Sequence, residues 1–188
     1  MGEKAARTKV INKLVSVLGD QNEYVRMNAC EALRSMGEKA ARTKVINKLV
    51  SVLGDQNEYV RMNACEALRS MGEKAARTKV INKLVSVLGD QSEYVRMNAV
   101  KALVSMGEKA ATTEVINKLV SALEHRSDRL RMNAVKALVS MGDKAARTEV
   151  INKLASVLGD QSERVRMNAC KALRSMGEKA ARTEVINK

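Results

Sequence analysis

The chain repeats itself. Residues 1–35 recur without a change as residues 36–70, further copies with scattered substitutions begin at Met71, Met106 and Met141, and Met176 opens a sixth that runs to Lys188. A unit of 35 residues is too short to enclose a core, so its apolar face needs the next unit as cover, and the expected product is a stack rather than a globule. The expected organisation is one repeat domain over 1–188, with units 1–35, 36–70, 71–105, 106–140 and 141–175 and a partial unit 176–188. Because the chain has three Tyr but no Phe, Trp or Pro, its core must be aliphatic.

Within one unit, Val10, Ile11, Leu14, Val15, Val17 and Leu18 share a broad helical face opposite Asn12, Lys13 and Ser16, which predicts a first helix, A. Thr8 and its repeat Thr43 are the expected N-caps of helix A, and Gly19 its expected stop. A second set, Val25, Ala29, Ala32, Leu33 and Met36, predicts helix B, beginning after Asn22 and ending at Gly37. Glu38-Lys39-Ala40-Ala41 reads as one short helical turn before the next copy. Nothing reads as a strand. Small Ala29 and Ala32 favour close packing of A and B as an antiparallel hairpin, each stacked on the last.

The run Leu18-Gly-Asp20, then Val25-Arg26, then Ala29 and Ala32-Leu33, resembles the HEAT repeat, an armadillo-type helical repeat. The resemblance covers all five complete units and implies an all-α fold, a right-handed α-solenoid of antiparallel helix pairs with the B helices on the concave side. It also implies a structural ladder between neighbouring units, in which Asp20, Asp55, Asp90 and Asp160 match the family's Asp and Arg26, Arg61, Arg96, Arg131 and Arg166 its Arg. Copy four departs, with His125 in place of the Asp and Glu124 in place of the loop Gly. Both long natural arrays and artificial consensus repeat proteins look like this unit. Identity between copies at solvated positions such as Lys13, Gln21 and Glu23 points to recent duplication or deliberate assembly.

A repeat array supplies like groups in rows, whereas catalysis needs unlike groups at one point. His125 is the only His, no Cys-x-x-Cys pair exists, and each Gly stands alone rather than in a phosphate-binding loop. No enzyme activity, cofactor or metal site is expected. Cys30, Cys65 and Cys170 occupy one position of helix B in different units, too far apart for a disulfide, and Val100 and Val135 replace them in copies three and four.

The concave surface is expected from helix B positions 23, 27, 30, 31 and 34 of the unit, with 24 at the edge. Position 24 reads Tyr24, Tyr59, Tyr94, Arg129, Arg164, and position 27 is Met in every copy, most simply packing between neighbouring B helices. Met97, Val100, Val104, Met132, Val135 and Val139, bordered by Tyr94, form the candidate apolar patch for a protein or peptide partner. An unchanged affinity after Val104→Asp with Val139→Asp would count against that patch.

The net charge of +13 raises nucleic-acid binding through a basic groove as the alternative, but the excess is spread thinly. Lys4, Arg7 and Lys13 lie outside the groove, and position 9 reverses sign from Lys9, Lys44 and Lys79 to Glu114, Glu149 and Glu184. Membrane association is not expected, since no apolar run approaches the roughly 20 residues of a span, and the opening residues lack a signal segment. A soluble, intracellular, cytoplasmic protein is the expectation. Uncapped end units would favour head-to-tail self-association, and the Val185 and Ile186 amides should exchange before those of Leu84 and Leu119.

Overall fold

The computed structural model describes residues 2–181, and the expectation about Val185 and Ile186 lies outside them. The described residues form ten α-helices, joined by 3-10 turns and loops and without a strand. The A helices are α1 (Gly2–Val17), α3 (Thr43–Val52), α5 (Thr78–Val87), α7 (Thr113–Ala122) and α9 (Thr148–Ser156). The B helices are α2 (Glu23–Met36), α4 (Glu58–Ser70), α6 (Glu93–Ser105), α8 (Asp128–Ser140) and α10 (Glu163–Ala181). The chain divides into two compact units, Met1–Met106 with α1 to α6 and Gly107–Lys188 with α7 to α10.

Helix B starts where its cap dictates. Asn22 stays extended at φ −82° and ψ 122°, and its side-chain oxygen accepts from the N–H groups of Tyr24 and Val25; Asn57 does the same for Tyr59 and Val60. It stops where the chain turns left-handed, Gly37 having φ +53° and Gly72 φ +55°, a conformation that costs any side chain with a Cβ. One 3-10 turn follows, Gly37–Ala40, and buries Ala40.

Two expectations at helix A need correction. Thr43 is the first helical residue rather than the cap, which is Arg42 without a capping side chain, and Thr8 lies inside α1. Thr8 Oγ1 instead accepts from Arg42 Nη2 at 3.0 Å, so the Thr ties one copy to the next. A capping side chain occurs one residue earlier in copy four, where Thr112 replaces the Arg and its Oγ1 accepts from Val115 N at 3.3 Å. Nor does Gly19 end α1 through a left-handed backbone, because the positive-φ glycines are Gly37, Gly72, Gly107, Gly142 and Gly177. A Cβ at Gly19 would lie 3.1 Å from Lys48 Nζ. Copy four does carry a side chain at this position, and there Glu124 pairs with Lys153, the equivalent of Lys48.

In the first unit each A helix packs on its own B helix, and the B helices also pack on one another, α2 on α4 and α4 on α6. In the second unit α7 packs on α8, α9 on α10, and α8 on α10. The buried faces are aliphatic: α3 packs on α4, and Val45, Ile46 and Leu49 of α3 and Val60, Ala64 and Leu68 of α4 are all at most 1% exposed. Each such Val, Ile or Leu contributes roughly 1.5–3 kcal/mol on leaving water.

Candidate protein-binding surface

A row of ion pairs fixes the register between copies. Arg26 reaches 29 residues along the chain to Asp55, with Nε donating to Oδ2 at 2.7 Å and Nη2 to Oδ1 at 2.9 Å. Arg61 meets Asp90 at the same two distances. In the second unit Arg131 meets Asp160 at 2.7 and 2.8 Å. The third nitrogen of each guanidinium donates to two loop carbonyls of its own copy, Asp55 and Gln56 in the case of Arg61. The carboxylate has a second task, since Asp55 Oδ1 also accepts from Asn57 N at 2.9 Å and so shapes the turn that leads into helix B.

Burial works against the charged form of Asp55 and Asp90, yet the paired guanidinium and the turn N–H outweigh it and hold both carboxyls below the usual carboxylate range. Asp160 is held low chiefly by Arg131. Asp20 accepts from Asn22 N at 2.9 Å, and Arg166 donates to the carbonyls of Asp160 and Gln161.

Arg96 stands apart. Its Nη1 donates to the Asp90 and Gln91 carbonyls, but its Nε is buried without a hydrogen-bond partner. The residue 29 positions further on is His125 rather than Asp. His125 shapes the turn as the carboxylate does elsewhere, because its Nδ1 accepts from Ser127 N at 3.1 Å.

The candidate patch changes with the structure. Val100 and Val135 are fully buried, as are Cys30 and Cys65 at the same position, so this position belongs to the core and not to an open groove. Burial pushes the Cys30 thiol up to about 12, raises that of Cys65 too, and leaves both poor nucleophiles. The three thiols are free; Cys170 alone is exposed. Met97 and Val104 in the first unit, and Met132 and Val139 in the second, are half-buried. Arg34 in α2 is engaged by Glu31 at 3.0 Å and by Glu66 of α4 at 2.9 Å.

Tyr94 is exposed, and it belongs to a row that the patch omitted. Tyr24, Tyr59 and Tyr94 are 65%, 58% and 61% exposed, although they are the only aromatic residues in the chain. Between the starts of α4 and α6 lies an open cavity of about 610 Å³ lined by Glu58, Tyr59, Met62, Ser92, Glu93 and Tyr94. The sequence signal for it was the confinement of every aromatic to one position of the repeat. Among the described residues no group of three or more His, Cys, Asp or Glu is placed to hold a metal ion, and no helix is long and apolar enough to cross a membrane.

Paired helices, a B-on-B inner layer and a recurring Arg–Asp tie define an α-solenoid of stacked helical hairpins. The chain belongs to the HEAT repeat family, whose model, described as HEAT repeats, matches residues 11–81, 46–116, 81–151 and 116–186. Solved structures agree on the fold. An engineered protein shares 22% identity over 94% of this chain and 86% of its own, with a TM-score of 0.77. A designed armadillo repeat protein in complex with the peptide (KR)4 shares 22% over 93% and 85%, with a TM-score of 0.76. A computationally designed armadillo repeat protein for modular peptide recognition shares 22% over 93% and 88%, with a TM-score of 0.71. No curated protein matches the chain.

Proposed function

We propose that the chain is a non-catalytic scaffold that binds a protein or peptide along the exposed face of its B helices, and that its near-identical copies make it a designed or consensus-like framework. The observation that carries this reading is the Tyr-lined cavity between α4 and α6, where amphipathic aromatics stand in water on helices held by ion pairs. Tyr provides large contact area with few rotatable bonds, and a helix-borne side chain loses little freedom on binding, so a partner meets a preorganised surface. Solved neighbours of the same fold include one in complex with the peptide (KR)4 and one designed for modular peptide recognition, which supports a peptide as the partner class.

The test is selection from a random peptide display library on the immobilised chain, with the Tyr59→Ser, Met62→Ser, Tyr94→Ser variant as counter-target. Peptides retained by the chain and lost from the variant support the reading. No enrichment, or enrichment equal on both, overturns it.

Exposed apolar side chains favour a second contact, between copies of the chain. Val10 and Val25 in the first copy, and Leu158 and Met167 in the fifth, are 38–48% exposed, and head-to-tail association would cover them. Sedimentation velocity over a hundredfold range of concentration should then show growth in mass, and a monomer throughout removes this contact.

A further inference from the structure

The first and fifth copies reveal which positions a neighbour covers. Val45 and Val80 are 1% exposed and Val60 and Val95 are fully buried, whereas Val10 and Val25, at the same two positions of the first copy, are 48% and 38% exposed. Positions 10 and 25 of the unit therefore face the copy before. Leu18 and Leu53 are buried, as are Cys30 and Cys65, yet Leu158 and Cys170 at the same positions of the fifth copy are exposed. Positions 18 and 30 therefore face the copy after. The two open faces are the two halves of one joint, the joint that α2 makes with α4, and α4 with α6.

The row of ion pairs has the same two loose ends. Asp20 stands where Asp55 and Asp90 each receive a guanidinium, but among the described residues its carboxylate accepts a hydrogen bond from Asn22 N alone. Arg166 spends Nη1 on the carbonyls of Asp160 and Gln161. Its Nε and Nη2, the two nitrogens that Arg26 and Arg61 close on a carboxylate, have no acceptor among the described residues. We propose that the fifth copy of one molecule binds the first copy of another through this same joint, with Arg166 of one closing on Asp20 of the next and α10 packing on the second molecule's α2. This deepens the head-to-tail contact and rests on it. A second copy is the fitting occupant because it carries both the matching apolar face and the opposite charge. The two-pronged guanidinium–carboxylate contact has one geometry, so it sets the register between molecules as it does between copies. Unlike faces meet, and each added molecule presents the same open faces again.

The experiment is sedimentation velocity of the full chain over a hundredfold range of concentration, with the initial rate of Cys170 modification by a disulfide-exchange reagent measured on the same samples. The variants are Arg166→Glu and Asp20→Arg, each of which sets like charges against each other at the joint. The expected result is growth in mass for the wild type and association weaker by about tenfold or more for either variant alone. Their equimolar mixture should recover, because the two substituted side chains are of opposite charge, and such recovery separates a lost contact from a lost fold. Modification of Cys170 should slow about tenfold from the dilute to the concentrated wild type, as the joint buries the thiol. Growth that both variants retain, or a mixture as weak as its components, overturns the proposal, and the head-to-tail contact then stands as an apolar one. Growth in mass with an unchanged Cys170 rate overturns both, since the molecules then meet elsewhere. A monomer at every concentration also overturns both.

Discussion

At the scale of single residues, the guanidinium–carboxylate tie explains more of the sequence than any other contact. Arg61 and Asp90 have side chains only 15% and 11% exposed, so removing either leaves the other charge poorly solvated. Asp90→Asn should cost about 2 kcal/mol in urea unfolding at pH 7, in the range for losing hydrogen bonds to a charged group. The carboxyls of Asp55, Asp90 and Asp160 titrate lower in the folded chain than in the unfolded one, so their stabilisation is complete above about pH 4 and disappears as pH falls through the folded values. The gap between wild type and Asp90→Asn should therefore close on acidification, and a gap constant down to pH 2 would contradict this account. The thiols give a second residue-scale prediction. A disulfide-exchange reagent should modify Cys170 in the native chain, while buried Cys30 and Cys65 react only as the chain unfolds. Three equal rates would contradict the burial of the inner pair.

At the scale of elements, the two glycines found in every complete copy but the fourth have different roles, and substitution separates them. Gly72 has φ +55°, so Gly72→Ala should destabilise by about 1 kcal/mol even though a Cβ there would meet Ser105 O at an ordinary 3.7 Å. Gly54 has no positive φ, and its Cβ would meet Ser51 O at 3.5 Å, so Gly54→Ala should be neutral or stabilise by up to about 1 kcal/mol. Thermal melts that show equal losses would refute the distinction.

The helices themselves were legible because apolar spacing, Asn caps and the Gly37 stop all point to the same boundaries. Thr8 was misread because a hydroxyl before an apolar run resembles a cap, and only the packed structure reveals Arg42 as its partner. The misassignment of Val100 and Val135 has a geometric cause. A single amphipathic stripe describes a helix packed on one side, but α4 touches its own A helix and the B helices before and after it, so a wider arc is buried. The Tyr-lined cavity stayed hidden in part because it needs two copies, and no single unit shows it.

For the whole molecule, the repeat makes stability a sum of unit terms and neighbour terms, with the neighbour terms dominant. Leu68 and Leu103 are fully buried in the first unit, as is Leu138 in the second, although each copy is only 35 residues long. Chains below about 40 residues seldom fold without a disulfide, metal or partner, and isolated helices shorter than about 12–15 residues are marginal in water. The helices α3 and α4, of 10 and 13 residues, fall within that limit. Circular dichroism of a synthetic peptide spanning residues 36–70 therefore tests most directly whether each copy depends on its neighbour for a core. The account predicts a largely unstructured peptide with no cooperative melt, beside a full-length chain that is strongly helical and melts cooperatively. A 35-residue peptide that folds alone, as a helical monomer with a sharp transition, would contradict it.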